Sequence, residues 1–387
     1  MSKTALIIGG GPAGCAASHQ LTLLGGWDIT LIEQGPYLGA GARTFFHGGH
    51  PYTFGPRHFL TQNEKVYNYL NSYLLLRGCA NHEFWTYVEQ DQNFYNFPIH
   101  TDDIERMPDC FHIKYELECE GYDHPPINLE EYWRNSVGST LYNKFIRKYS
   151  KKMWGVEATE LDTFSWSPKG VTLKSGPRAA WDNAISAYPY DYEGYNTWFD
   201  IATAGASVLL NTKNRVYDLQ QRRVWIGNNI GFNTFDIIIS TISPDIPFGH
   251  LYGALPYIGR DFHKIVLPVE FALPENVYFM YNAGDEAWTR TTEFKKFTQH
   301  KSDQTLLGIE IPSRNGKHYP MPIKKWQRLA EQYFQMMGSG VFCMGRSGCY
   351  RYGLDIAACI EQAMELVEIL KQGGQDHPVI GEKWRAI

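Results

Sequence analysis

The chain has 387 residues, 43% of them hydrophobic and 20% charged, which suits a globular protein of two or three subdomains around a sizeable core. Its net charge of −5 offers no global basic field for nucleic acid, and no apolar run approaches the roughly 18 residues of a membrane span. Seven cysteines at irregular spacing, none in a CxxC pair, indicate neither a zinc site nor a disulfide framework, so no metal centre is expected.

Thr4-Ala5-Leu6-Ile7-Ile8 is a short apolar run that reads as a buried parallel strand. Gly9-Gly10-Gly11-Pro12-Ala13-Gly14 follows at once and fits G-x-G-x-x-G through Gly9, Gly11 and Gly14. Residues 13–24 then give a helix rich in Ala and Leu, and Ile29-Thr30-Leu31-Ile32 a second strand ending in Glu33 and Gln34. The order has a chemical reason. A pyrophosphate needs backbone N–H groups and a positive helix end, with no side chains in the way, and an acid closing the second strand accepts from the ribose hydroxyls. A lone glycine pattern is weak; strand, turn, helix, strand and acid in sequence predict a dinucleotide-binding fold. A start of Met-Ser-Lys leading straight into this strand lacks the pattern of a signal peptide, so free thiols in the cytoplasm are the expectation.

Directly after the acid, Gly35-Pro36-Tyr37-Leu38-Gly39-Ala40-Gly41-Ala42-Arg43-Thr44 is a second glycine-rich stretch. It resembles the segment of glutathione-reductase-like flavoproteins that runs beneath the FAD pyrophosphate and flavin. FAD is therefore expected rather than NAD, with Gln34, Gly41, Ala42 and Arg43 joining Pro12, Ala13 and the acid as contacts.

Further along stand Tyr52-Thr53-Phe54-Gly55-Pro56-Arg57-His58-Phe59-Leu60-Thr61, Asn93-Phe94-Tyr95-Asn96-Phe97-Pro98-Ile99-His100 and Tyr149-Ser150-Lys151-Lys152-Met153-Trp154-Gly155. Thr289-Arg290-Thr291-Thr292-Glu293, Tyr319-Pro320, and Phe342-Cys343-Met344-Gly345-Arg346 with Tyr350, Tyr352 and Asp355 follow. In this order the patches resemble the motifs of the UDP-galactopyranose mutase family over nearly the whole chain: Y-G-A-H-I-F-H-T, L-F-N-L-P-F-N, Y-T-E-K-Q-W-G, T-R-I-I-E, Y-P and G-R-x-x-x-Y-x-Y.

The resemblance implies an α/β fold: an FAD-binding Rossmann-like domain of glutathione-reductase type, a helical insertion and a β-sheet substrate domain. The FAD domain would be discontinuous, at 1–62, 181–245 and 335–387, with returning strands at 208–210 and 236–241 and a helix over 356–371. A mainly helical insertion at 63–180 would carry Phe145, Tyr149 and Trp154, and a β-rich layer at 246–334 would carry Arg290 and Tyr319.

It also implies site roles. Pro56, Arg57 and His58 would lie beside the flavin, Val216 at the adenine, Arg346 on an FAD phosphate, and Asp355 and Ile356 at a helix start aimed at the flavin ring, where it stabilises reduced, negative flavin. Phe97, His100 and Tyr188 would contact the sugar; Phe145, Tyr149 and Trp154 the nucleotide. Arg290, Tyr319 and Tyr352 would bind the diphosphate and, with Arg57, serve catalysis. If the Arg290 segment is helical, Glu293 offers a structural ion pair as the alternative role for that arginine.

Departures from the family are Arg57 and Leu60 where it has His, His100 where it has Asn, and a lid without its Arg. Phe164-Ser165-Trp166-Ser167-Pro168-Lys169-Gly170 occupies that lid, and Lys169 or Arg178 is expected to substitute, although Lys lacks the planar fork.

The activity implied is non-redox pyranose–furanose isomerisation of a nucleoside-diphosphate sugar for surface polysaccharide biosynthesis. Reduced flavin N5 would attack the anomeric carbon and carry the sugar as an adduct while the ring opens and recloses. NAD(P)H or another reductant would activate the FAD, and the protein would be a homodimer that binds no nucleic acid. The other class open to this N-terminal fingerprint is an FAD-dependent oxidoreductase of amine oxidase or desaturase type.

Overall fold

The computed structural model describes residues 2–119, 124–163, 172–213, 215–227, 231–374 and 377–385. The opening segment folds as its pattern predicts: strand β1 (Lys3–Ile8), helix α1 (Pro12–Leu24) and strand β2 (Trp27–Ile32). Ala5 to Ile8 are fully buried, as befits a strand covered on both faces. A five-stranded parallel sheet runs Ser207–Leu209, β2, β1, Ile237–Ser240, Val341–Cys343. The chain leaves β1 toward β2 and returns on the opposite side, so the strand order reverses beside β1. Ligands of open α/β sheets bind at the carboxyl ends of the strands at such a reversal. The helix Ile356–Gln372 packs against α1 over this sheet.

The second layer is a seven-stranded sheet in the order Tyr319–Pro320, Tyr257–Leu267, Thr305–Ser313, Arg290–Glu293, Val277–Asn282, Glu83–Val88, Asn93–Asn96. All its pairs are antiparallel except that of Val277–Asn282 with Glu83–Val88. Two of its strands come from the stretch expected to be mainly helical. The sequence Glu83-Phe84-Trp85-Thr86-Tyr87-Val88 buries every second residue, Phe84, Thr86 and Val88, which is a strand period and extends the sheet.

The helical part of that stretch includes Leu129–Leu141, a π-helical turn at Tyr142–Arg147 and Lys148–Trp154. It ends at Gly155 in the left-handed conformation (φ 71°), whose N–H donates to Lys151 O at 2.8 Å. Stacked rings such as Phe84 on Phe279 (4.9 Å) fill the space between helices and sheet. Much of the high aromatic content is therefore core. Among the described residues no helix is long and apolar enough to cross a membrane.

Candidate active site

The turn after β1 is shaped by its glycines. Gly9 holds φ 102°, and a Cβ at Gly14 would run into the Gly9 carbonyl oxygen, so α1 can pass this close to the turn only without a side chain there. No side chain caps α1 at Gly11, and its first turn carries no acid. Its free N–H groups and positive dipole end thus meet no protein anion. Glu33, closing β2, accepts from Gly10 N and Gly35 N at 2.7 Å each, which fixes the carboxylate while leaving lone pairs for hydroxyl donors. Gln34 follows it on the surface.

Three later segments converge here. Gly345 (φ 76°) has no room for a Cβ, which would lie 2.6 Å from the Ala13 Cβ. The next residue, Arg346, keeps its Nε buried with no hydrogen-bond partner. Arg57 donates from Nε to Gly41 O (3.3 Å), tying the stretch that begins at Tyr52 to Gly41, beside the buried Ala42. Arg43 lies 5.5 Å from the Tyr37 ring. Asp355 caps the helix Ile356–Gln372 by accepting from Ala358 N (2.9 Å), and remains exposed. A bare helix end, a fixed acid and an orphaned guanidinium nitrogen fit a dinucleotide with a pyrophosphate. Val216 is exposed on the short strand Arg215–Asp218. Pro56 sits half-buried next to Arg57, whereas the His58 ring is turned into an aromatic core with Trp181 (4.6 Å) and Phe297 (5.5 Å).

The seven-stranded sheet builds the second half of the site by register. Tyr281, Arg290 and Glu310 are successive partners across three strands. Arg290 grips Glu310 with two parallel bonds, Nε to Oε1 at 2.6 Å and Nη2 to Oε2 at 2.7 Å. Gly55 (φ 84°) covers the pair, since its Cβ would lie 2.8 Å from Arg290 Nη2.

Glu293 is not the partner of Arg290. The segment is a strand, not a helix, so residues three apart face opposite ways. Glu293 instead accepts from Ala272 N, Leu273 N and Thr305 Oγ1 at 2.7–2.9 Å. Glu310 escaped the sequence reading, although a lone acid inside Leu306-Leu307-Gly308-Ile309-Glu310-Ile311 asks for a buried cation.

Arg260, likewise missed, lies diagonally across the strands from Glu310, with its Nε 3.6 Å from Oε2 and its Cζ 4.9 Å from the Tyr319 ring. Arg346 Cζ approaches the same ring at 5.0 Å. Tyr352 packs 5.7 Å from Tyr319 and edge-on to Trp154 at 5.2 Å, and Tyr149 stacks on Tyr281 at 4.9 Å.

The electrostatics follow from this crowding. Burial pushes the Glu310 carboxyl up, but Arg290, Arg260 and Arg57 hold it below the usual range. Burial also raises the Tyr319 phenol, yet Arg57, Arg290 and Arg260 outweigh it and bring the group down to about 7. Burial, Arg57 and Arg260 push His318 down to about 4. Three guanidiniums around one shared carboxylate, a fourth against Tyr319, and several phenols make a site that attracts a multiply charged anion.

Other expected contacts sit elsewhere. Phe97 and Phe145 are core residues, Phe97 packed on Phe84 (5.3 Å) and Phe145 6.0 Å from Tyr95. Tyr188 is fully buried against Tyr195 and Phe297. His100 is occupied as a helix cap, its Nδ1 accepting from Asp102 N (3.2 Å) and its Nε2 3.0 Å from Gly176 O, so neither nitrogen is offered to a sugar. Arg178 is bound to Asp103 (2.8 Å) and Asn96, which removes it as a substitute for the lid arginine. Lys169 and the rest of 164–171 lie outside the described residues.

The two layers define a class: a Rossmann-type dinucleotide-binding protein whose second sheet carries an arginine–tyrosine anion site. The profile of NAD(P)-binding Rossmann-like domains matches residues 7–73. That of UDP-galactopyranose mutase matches residues 144–352, more than half of the chain, and the chain belongs to that family of pyranose–furanose nucleotide-sugar isomerases. A protein of Klebsiella pneumoniae named "Probable UDP-galactopyranose mutase" is 22% identical over 95% of this chain and 94% of its own. The dTDP-fucopyranose mutase of Escherichia coli is 24% identical over 94% and 97%. In fold, the chain is similar to a reduced UDP-galactopyranose mutase, with a TM-score of 0.81 at 16% identity over 100% of this chain and 96% of that one. Putrescine oxidase is a more distant likeness, with a TM-score of 0.56 at 12% identity over 96% and 99%.

Proposed function

We propose that the protein interconverts the pyranose and furanose forms of a nucleoside-diphosphate sugar, for polysaccharide biosynthesis, with FAD held between the β1 turn and Arg346. The observation that carries this reading is the convergence of Arg57, Arg260, Arg290 and Arg346 on Tyr319 beside that turn. Both known relatives named above act on nucleotide sugars by name, which agrees with it. Reduced FAD, when bound, supplies a nucleophilic ring nitrogen for the anomeric carbon.

The chain's own residues supply position and charge. Arg290, held by Glu310 through Nε and Nη2, keeps its remaining nitrogen for the leaving diphosphate, whose charge it offsets. Tyr319 and Tyr352 donate hydrogen bonds to the phosphates. An incoming anion raises the Tyr319 phenol from about 7 and returns it to its proton-bearing, donating form. Tyr149 and Trp154 border the same cluster as buried rings, packed on Tyr281 and Tyr352, and wall it rather than offering free stacking faces. An amine or hydrocarbon substrate of the oxidase class has no use for so many guanidiniums.

The test is a screen of UDP- and dTDP-sugars with dithionite-reduced enzyme, following furanose formation. Turnover with reduced but not oxidised enzyme, and no reductant consumed per cycle, is the expected result. Consumption of NAD(P)H in proportion to product would overturn the assignment in favour of an oxidoreductase.

A further inference from the structure

Arg260 is a buried cation of the cluster that its protein partners satisfy poorly. Its side chain is 6% exposed, yet Nε is buried with no hydrogen-bond partner. Nη1 donates to the carbonyl of its own neighbour Gly259 (3.0 Å), and Nη2 meets the sulfur of Met153, a weak acceptor. Glu310 pairs with it only loosely, its Oε2 standing 3.6 Å from the Arg260 Nε while its oxygens bond Arg290 at 2.6 and 2.7 Å.

A buried guanidinium left in this state costs several kcal/mol in general, so it persists where a ligand completes it. Its backbone is also pinned. A Cβ at Gly259 would run into the carbonyl oxygen of Asn315, so the strand is held against that loop directly beside Arg260. The contrast with the other cations is direct: Arg178 is spent on Asp103 and Asn96, and Arg290 on Glu310.

We propose that Arg260 is a second phosphate-binding arginine for the substrate, taking the diphosphate of the nucleoside-diphosphate sugar together with Arg290 and Tyr319. The inference rests on the nucleotide-sugar reading above. Glu310 then serves as a shared positioning residue. It stands directly opposite Arg290 and diagonal to Arg260 on the strand between theirs, so that a diphosphate can be met by both.

The experiment measures equilibrium binding of UDP, dTDP and the bare nucleosides uridine and thymidine to the FAD-containing enzyme, for the wild type, R260M and R260K. Methionine keeps the volume of the stem and removes the charge; Glu310 stays paired with Arg290, so the variant is expected to fold. R260M should bind the preferred nucleoside diphosphate about 10–100-fold more weakly, with nucleoside affinity and FAD content unchanged, and R260K should recover part of the loss.

Equal weakening of nucleoside and diphosphate binding would make Arg260 a structural residue and overturn the proposal, as would undiminished binding of the diphosphate. Loss of FAD with diphosphate affinity intact would assign Arg260 to the cofactor instead. If R260M does not fold, R260K decides alone, wild-type affinity in it refuting the need for a guanidinium fork. A wild-type enzyme that binds neither UDP nor dTDP defeats the nucleotide-sugar reading itself, an outcome distinct from all of these.

Discussion

The β1 turn and the arginine–tyrosine cluster are both suited to anions, and by opposite means. The turn works by omission: glycines clear the way, no acid enters the first turn of α1, and backbone N–H groups are left to face an anion. Its parts come from one contiguous stretch, with Gly345 and Arg346 as the distant additions. The cluster works by accumulation: Arg57, Arg260, Arg290 and Arg346 come from four remote segments, and the first three share one carboxylate, Glu310. The turn therefore answers to backbone space and the cluster to charge balance, and substitutions in the two should fail differently.

The largest effect is expected in the turn. Gly14→Val places a side chain against the Gly9 carbonyl, and the protein should be isolated without flavin absorbance and without activity. Retention of full FAD in that variant would break the comparison.

In the cluster, Arg290→Ala should keep FAD yet lose about 3–4 kcal/mol of transition-state stabilisation, or 10²–10³ in turnover. It should also lose thermal stability, since the buried Glu310 loses its two short hydrogen bonds and keeps only the looser contact with Arg260. Adding Glu310→Gln should restore the melting temperature and not the turnover. Rescue of both would reduce Arg290 to a structural role.

A smaller change is expected of Gly55→Ala, whose methyl presses on Arg290 Nη2 from a left-handed backbone position. Kinetics should show roughly a tenfold loss, with a strain of about 1–3 kcal/mol, and FAD content should stay normal.

Below that comes pH. Tyr319 ionises near 7 in the free protein, so above that pH a phenolate opposes the incoming anion. Affinity for UDP or dTDP should fall by at most about tenfold per pH unit above 7, and Tyr319→Phe should flatten this limb. Because the folded value lies below the ordinary 10.0, the ligand-free protein gains stability as pH rises from about 7 to about 10 and loses it as pH falls through 7. The least effect is His100→Ala, which removes a helix cap and should cost about 1 kcal/mol of stability, leaving KM unchanged.

The same contrast explains what could be read in the sequence. What depends on near neighbours was legible: β1, the glycine turn, α1, β2 and Glu33, and the returning strand Ile237–Ser240 with its buried apolar run, whereas the other returning strand, Ser207–Leu209, is a largely exposed edge. Arg290, Tyr319 and Tyr352 were reached through motifs and do come together. Arg260 and Glu310 were not, because their roles arise from strand register over dozens of residues, which no local pattern encodes. His100 and Arg178 misled for the converse reason: a polar residue in a suggestive place was already satisfied by a cap and by Asp103.

One further consequence lies in the π-helical turn. From Leu129 the buried residues recur every fourth position, through Trp133, Val137, Leu141, Phe145 and Tyr149 to Met153. An ordinary α-helix advances about 100° per residue, so a four-residue repeat would slip about 40° at each step and soon point outward. The break at Gly138 (φ 81°, ψ 169°) and the wide turn at Tyr142–Arg147 cancel this slippage, acting as a vernier between two mismatched scales. Deleting a single residue there would swing Tyr149 about a quarter-turn from Tyr281 and unseat the ring wall from the sheet it faces.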